Sequence, residues 1–217
     1  MDPTSGFVDS SGLRIHYLDW GGSGPPAVLL HPSSFCADIW NPIAEALSQD
    51  YRVIAIDQRG HGKSDKPKGP YRWENFGNDL VGLIDGLHLK NAIAIGHSTG
   101  GTHVIMAAAK APSLISNAVL FEPTIWSHDD WPTESRPNAD WIRRRRNLWD
   151  TQEQIVRSYK PRSPFTRWND KILRAYINGG FEATNDGLIK LRCHPDIEAE
   201  LSENISNFNP KNHLDEI

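Results

Sequence analysis

Four polar residues stand at the ends of short apolar runs, where they could do chemistry: His31, Asp57, Ser98 and Glu122. The most specific setting is that of Ser98, in Gly96-His97-Ser98-Thr99-Gly100-Gly101, with an apolar run at 92–95 before it and a helix-forming run through Met106, Ala107, Ala108 and Ala109 behind it. Gly-x-Ser-x-Gly between a strand and a helix holds the serine on a sharp, strained turn and pushes its Oγ out of the sheet edge. Gly96 lets the turn close, and Gly100 lets the new helix approach the neighbouring strand. The helix N-terminus points free N–H groups at the serine, so negative charge developing there is stabilised. That chemistry is nucleophilic acyl transfer.

The elements that must position these residues alternate along the chain. Residues 7–19 read as a hairpin turning at Ser10-Ser11-Gly12, and 27–30 as a wholly apolar strand covered on both faces. A helix is expected over 39–47, with Trp40, Ile43, Ala44 and Leu47 on one face. Residues 52–56 form the next buried strand and deliver Asp57-Gln58-Arg59-Gly60-His61-Gly62-Lys63-Ser64-Asp65. Phe76, Leu80, Ile84 and Leu87 trace a helical stripe, and 117–121 read as another buried strand ending at Glu122. Short apolar strands alternating with amphipathic helices predict an α/β fold, a mostly parallel sheet with helices on both faces, whose ligands bind at the carboxyl ends of the strands.

After Pro123 the composition changes. No convincing buried strand is read in 125–206, which is rich in Trp, Arg and Asn. The pairs Trp141/Ile142, Leu148/Trp149 and Ile155/Val156 recur every seven residues on one helical face, with Thr151 and Gln154 as a capping box and a break near Asp150. Residues 168–177 read as a helix closed by Gly179-Gly180, 188–192 as extended and 195–201 as a short helix. The domain expectation is a core at 1–124, a helical lobe at 125–206 over the sheet's active edge, and the start of a return to the core at 207–217. Arg143 to Arg146 point in four directions about 100° apart, so they form no single basic face; a solvated surface with one arginine turned toward Glu122 or substrate is the better account.

In this order on alternating strands, His31-Pro32-Ser33 with Trp40, the Asp57–Asp65 loop and Gly96-His97-Ser98-Thr99-Gly100-Gly101 resemble the α/β-hydrolase fold family. Residues from 125 onward look like that family's cap, and 185–193 resemble the return from cap to core in bacterial members. The resemblance implies that Ser98 is the nucleophile and that the oxyanion hole is built from the backbone N–H groups of Thr99 and Ser33. Pro32 replaces the common glycine, but the donor belongs to the following residue. The implied pocket includes His31, Ser34, Phe35, His97 and Trp126, with cap tryptophans as an aromatic wall. In such hydrolases the acid and then the histidine follow the cap, and no apolar run of strand length follows it here before Ile217. The sequence therefore reads as the front of a longer hydrolase, inactive as this fragment, with the triad acid and histidine beyond residue 217. Glu122 is the candidate acid within it. For a base, His61, His97, His103, His128, His194 and His213 all lack an orienting partner in the sequence.

The resemblance implies a serine hydrolase acting on an ester-like acyl bond of a small apolar substrate, with no metal or cofactor. A serine at this position argues against the epoxide hydrolases and haloalkane dehalogenases of the fold. The alternative is a hydrolase-fold binding protein lacking the base. Net charge is −4 with a pI of about 6.1 and no basic face, which gives nucleic acid no footprint. The first twenty residues contain no apolar run, nothing is of membrane-spanning length, and Cys36 and Cys193 make no metal or redox spacing. Cytoplasm is the expected compartment. The strand ending at Phe121 is expected to be left as an apolar edge, open to non-native dimerisation or aggregation.

Overall fold

The computed structural model describes residues 2–125, 139–204 and 210–216. Strands β1 (Thr4–Ser10) and β2 (Leu13–Gly21) form the hairpin, followed by β3 (Pro26–Leu30), α1 (Asn41–Leu47), β4 (Arg52–Ile56), α2 (Trp73–Gly86), β5 (Ala92–His97), α3 (Thr99–Lys110) and β6 (Ile115–Phe121). These six strands make one sheet in the order β1-β2-β4-β3-β5-β6, antiparallel through β2–β4 and parallel from β4 to β6.

Strand alternation divides the core into two layers. Val28, Leu30, Ile54 and Ile56 face Leu80, Leu83, Val104 and Ala107 of α2 and α3. Leu29, Val53 and Ala55 face the other way, against Trp40 and Ala44. The helix expected over 39–47 is a 3₁₀ turn at Ala37–Trp40 followed by α1, with Pro42 in its first turn. Ile43, expected on its buried face, is exposed at 49%.

The strand expected to be buried at 117–121 is longer and differently placed. It runs over Ile115–Phe121 at the sheet margin, pairs with β5 alone among the described residues, and leaves Val119 and Phe121 exposed at 39% and 52%.

The second half contains α4 (Asp140–Arg143), β7 (Leu148–Trp149), α5 (Gln152–Tyr159), α6 (Asp170–Gly180), β8 (Phe181–Ala183), β9 (Ile189–Leu191) and α7 (Pro195–Glu203). A small antiparallel sheet, β7-β9-β8, stands here; its β9 falls in the 188–192 stretch read as extended, while β7 and β8 were not expected. The seven-residue recurrence is therefore not one helical face: Ile142 lies in α4, Trp149 in a strand and Ile155 in α5. Strands this short carry too few residues for a period-2 signal to stand out. The Thr151 cap is present, its Oγ1 accepting from the Gln154 N–H at 3.2 Å, but the reciprocal bond goes to Asp150 N–H rather than Thr151. Trp149, Ile155, Tyr159, Phe165, Leu173, Tyr176 and Phe181 form this half's core, and Cys36 and Phe35 of the first half pack into it. The 3₁₀ stretch Pro210–Glu216 packs against α3. Among the described residues no helix is long and apolar enough to cross a membrane.

Candidate active site

Ser98 sits between β5 and α3 with φ 55° and ψ −122°, a conformation that L-residues rarely adopt. Two neighbours make this turn possible. A Cβ on Gly96 would lie 2.4 Å from the Gly100 carbonyl oxygen, and one on Gly100 would lie 2.5 Å from that of Leu30. The Ser98 N–H donates to the Phe121 carbonyl at 2.9 Å, and its own carbonyl accepts from Gly101 N–H. Its half-buried Oγ lies 3.4 Å from Thr124 Oγ1 and makes no other hydrogen bond among the described residues. Thr124, whose carbonyl accepts from Thr102 Oγ1 at 2.6 Å, carried no sequence signal because nothing local ties it to Ser98.

Thr99 opens α3, so its N–H is a first-turn donor with no intrahelical acceptor. The Ser33 N–H is 2.8 Å from Thr99 Oγ1 and donates to it. Both backbone donors expected to face an oxyanion therefore lie at the same corner. The Thr99 hydroxyl occupies one of them, a role for that side chain that the sequence reading did not assign.

Three buried histidines hold the loop that carries Ser33. His31 Nδ1–H donates to the Pro32 carbonyl at 2.7 Å, while its Nε2 accepts from Gln58 N–H at 3.1 Å. His61 Nδ1–H donates to the Arg59 carbonyl, and its Nε2 accepts from Ser34 N–H at 3.0 Å. His103 Nδ1–H donates to Gln58 Oε1, whose amide in turn donates to the His31 carbonyl at 2.6 Å. Burial pushes all three imidazoles below their ordinary value, His61 to about 3, so they stay neutral. His31 is fully buried behind the loop and is not among the described lining residues of the cavity below.

Beneath this lies Asp57, which accepts from His16 Nδ1 at 2.7 Å, Ala37 N–H at 2.8 Å and Lys63 N–H at 2.9 Å. Burial alone would raise its carboxyl; the hydrogen bond and charge of His16, with His31 and the Ala37 N–H, outweigh it and hold the group at about 2. His16 is 41 residues away in sequence, so nothing local could announce the pair. Cys36, Asp38 and Asp57 bring ligand atoms within 4.8 Å of one another. Burial, with the Asp38 and Asp57 carboxylates beside it, pushes the Cys36 thiol well up, so it stays protonated, and Asp57 is already bonded three ways. This cluster supports no metal reading.

Glu122 is exposed at the end of β6 with φ 43°. Among the described residues it pairs with no histidine and with no arginine. His97 ends β5 opposite Phe121. His194 caps α7, accepting from Asp196 N–H at 3.2 Å, and His213 lies in the stretch packed on α3. Trp126 and His128 lie outside the described residues.

A cavity of about 650 Å³ opens where the Ser33-Ser34-Phe35 loop meets the second half of the chain. Its walls include Trp149, Tyr159, Phe165 and Tyr176, and the Tyr176 hydroxyl donates to the Ser34 carbonyl at 3.2 Å. Ser34 and Phe35 are in the wall of this cavity; His97 is not among its described lining residues.

The sequence matches the profile of the alpha/beta hydrolase fold over residues 20–177. It is 43% identical over 114 residues to a non-heme chloroperoxidase of Streptomyces lividans, covering 51% of this chain and 41% of that one. It is 38% identical over 120 residues to a 2-(acetamidomethylene)succinate hydrolase of Mesorhizobium japonicum, covering 54% and 43%. The matched stretch is thus less than half the length of either relative. The crystal structure of E-2-(acetamidomethylene)succinate hydrolase superposes with a TM-score of 0.79 at 25% identity, over 96% of this chain and 75% of that one. With the matched profile spanning most of the chain, the strand order and the turn at Ser98 have a common origin: this protein belongs to the α/β-hydrolase fold family.

Proposed function

We propose that the protein is a serine hydrolase that transfers the acyl group of a small ester-like substrate to water through an acyl-enzyme on Ser98. The observation that carries this reading is the Ser98 backbone: a left-handed φ at a strand-to-helix turn with the Oγ half-exposed. Ser98 Oγ attacks the carbonyl carbon, and the oxyanion that forms faces the Thr99 N–H and, once Thr99 Oγ1 turns aside, the Ser33 N–H. Collapse expels the leaving group, and water then attacks the acyl-serine through the same oxyanion geometry. The acyl chain packs on Phe35, Phe165 and Tyr176. Among the described residues no histidine or carboxylate hydrogen-bonds to Ser98 Oγ, so its proton passes to solvent water as the bond to carbon forms, and the departing alkoxide takes a proton back from water. The 217-residue chain is therefore expected to turn over slowly, by attack of Ser98 Oγ assisted only by binding and the oxyanion hole.

A Ser98 Oγ bonded to Thr124 and to no described histidine or carboxylate fits a second reading, a binding protein that keeps the cavity without the chemistry. Hydrolysis of p-nitrophenyl acetate separates the two. A slow rate that falls to the uncatalysed level in Ser98→Ala supports the hydrolase. A rate unchanged by Ser98→Ala leaves the binding protein.

A further inference from the structure

The walls of the 650 Å³ cavity are rich in donors and poor in acceptors. Arg145, Arg146, Arg162 and Glu198 are the charged groups on its described lining. Glu198 is already paired with Arg145, so that couple cancels. Arg146 is held by neutral acceptors, its Nε donating to the Leu148 carbonyl at 2.6 Å and its Nη2 to Gln154 Oε1 at 3.0 Å, and its guanidinium lies 5.4 Å from the Trp149 ring centroid. None of these cancels its charge. Arg162 has no side-chain hydrogen bond or ion pair among the described residues.

Two guanidiniums on the lining with no carboxylate partner among the described residues fit a group that only accepts hydrogen bonds and carries negative charge. An ionised carboxylate is that group, and the planar guanidinium matches it in two-point geometry. We propose that this cavity is a carboxylate-binding subsite, so that the substrate of the Ser98 chemistry is an acyl compound bearing a free carboxylate. Arg146 and Arg162 are the recognition residues and the aromatic wall packs the intervening carbons. This assignment rests on the serine-hydrolase reading for the word substrate, but its binding claim stands apart from it. The cavity volume falls in the range of roughly 300–1,000 Å³ usual for small-molecule sites.

The test measures binding without turnover. The 217-residue chain is titrated calorimetrically with succinate, glutarate and adipate, and with the diamide of each. The expected result is that at least one diacid binds about tenfold or more tightly than its diamide, the size of one charge-assisted hydrogen-bond pair. Arg146→Gln and Arg162→Gln, both exposed positions whose folding is checked by circular dichroism, should each remove about tenfold of that preference. Arg162→Lys should keep part of it, and Arg174→Gln, outside the cavity, should keep all of it. Equal binding of diacids and diamides, no diacid binding at all, or a preference that survives both glutamine substitutions would overturn the proposal. Any of these would leave Ser98-dependent ester hydrolysis untouched, whereas loss of that hydrolysis alone would leave a carboxylate-binding protein.

Discussion

Replacing Gly100 by alanine tests whether the nucleophile turn depends on close backbone approach. Gly100 lies in the first turn of α3, and the Cβ of an alanine there would sit 2.5 Å from the Leu30 carbonyl oxygen and 2.7 Å from that of His31. Both obstacles are backbone, in β3 and in the loop leading to Ser33, so no side chain can swing away. Bringing the shorter contact to about 3.4 Å would require α3 and β3 to separate by close to an ångström in a packed core, and such overpacking costs roughly 1–3 kcal/mol. Against this, alanine in place of glycine in a helix contributes up to about 1 kcal/mol, less in the first turn. The net expectation is a loss of about 1–2 kcal/mol, seen as a fall of roughly 2–8 °C in Tm for a domain of this size. The same displacement moves the Thr99 N–H relative to Ser33, and an ångström of misplacement can cost about a hundredfold in rate. Gly100→Val should be worse on both counts. Thermal melts followed by circular dichroism, paired with p-nitrophenyl acetate kinetics, read both effects. A Gly100→Ala protein that melts higher than the parent and keeps its Ser98-dependent rate would refute the reasoning.

Three other outcomes are expected. Thr99→Ala removes the acceptor of the Ser33 N–H but neither backbone donor, so the Ser98-dependent rate should stay within about tenfold of the parent; a loss as deep as that of Ser98→Ala would mean that the hydroxyl itself holds the oxyanion. Stability in urea should fall between about pH 7 and pH 5, because His61, held at about 3 by burial and by neighbouring His31, stays neutral while the unfolded chain takes up a proton below its ordinary ~6.5, a loss of about 2 kcal/mol by pH 5. Asp38, raised to about 6 by burial and Asp57, acts in the opposite direction over that window, so Asp38→Asn should steepen the fall, and a stability that rises on acidification in that variant would contradict the assignment. Finally, the β6 edge with Val119 and Phe121 exposed should make the 217-residue chain self-associate, and Val119→Lys with Phe121→Lys should reduce this in sedimentation; association indifferent to both lysines would place the contact elsewhere.

The first half of the fold was legible because β3 and β4 are buried on both faces and read as unbroken apolar runs, each ending at a chemically distinctive residue. Gly96 and Gly100 likewise announced a turn whose contacts the structure supplies in carbonyl distances. The second half was harder for a stated reason. Strands of two or three residues carry no period, and Trp149 contributes to a core whatever element it occupies, so a seven-residue recurrence imitated a helix. β6 misled in another way: its apolar composition suits a central strand, but burial depends on what flanks it. Within the site, Ser98 stood out by its motif, and Thr99 and Ser33 followed only from the family resemblance. The network that sets the loop could not, because His16–Asp57, Gln58–His103 and Tyr176–Ser34 join residues 41, 45 and 142 positions apart. Arg145 and Arg146, which read as a solvated helix surface, line the same cavity as Ser33 and Ser34, a grouping no local pattern could announce.

The central claim is that Ser98 is the nucleophile, and its most direct test is chemical. The 217-residue chain is incubated with an alkyl fluorophosphonate, digested, and the adduct located by tandem mass spectrometry. The account predicts one slow, stoichiometric phosphonyl adduct on the peptide carrying Ser98, lost on unfolding the chain beforehand and absent in Ser98→Ala. A chain that stays unmodified, or one labelled elsewhere to the same extent with and without Ser98, would contradict it.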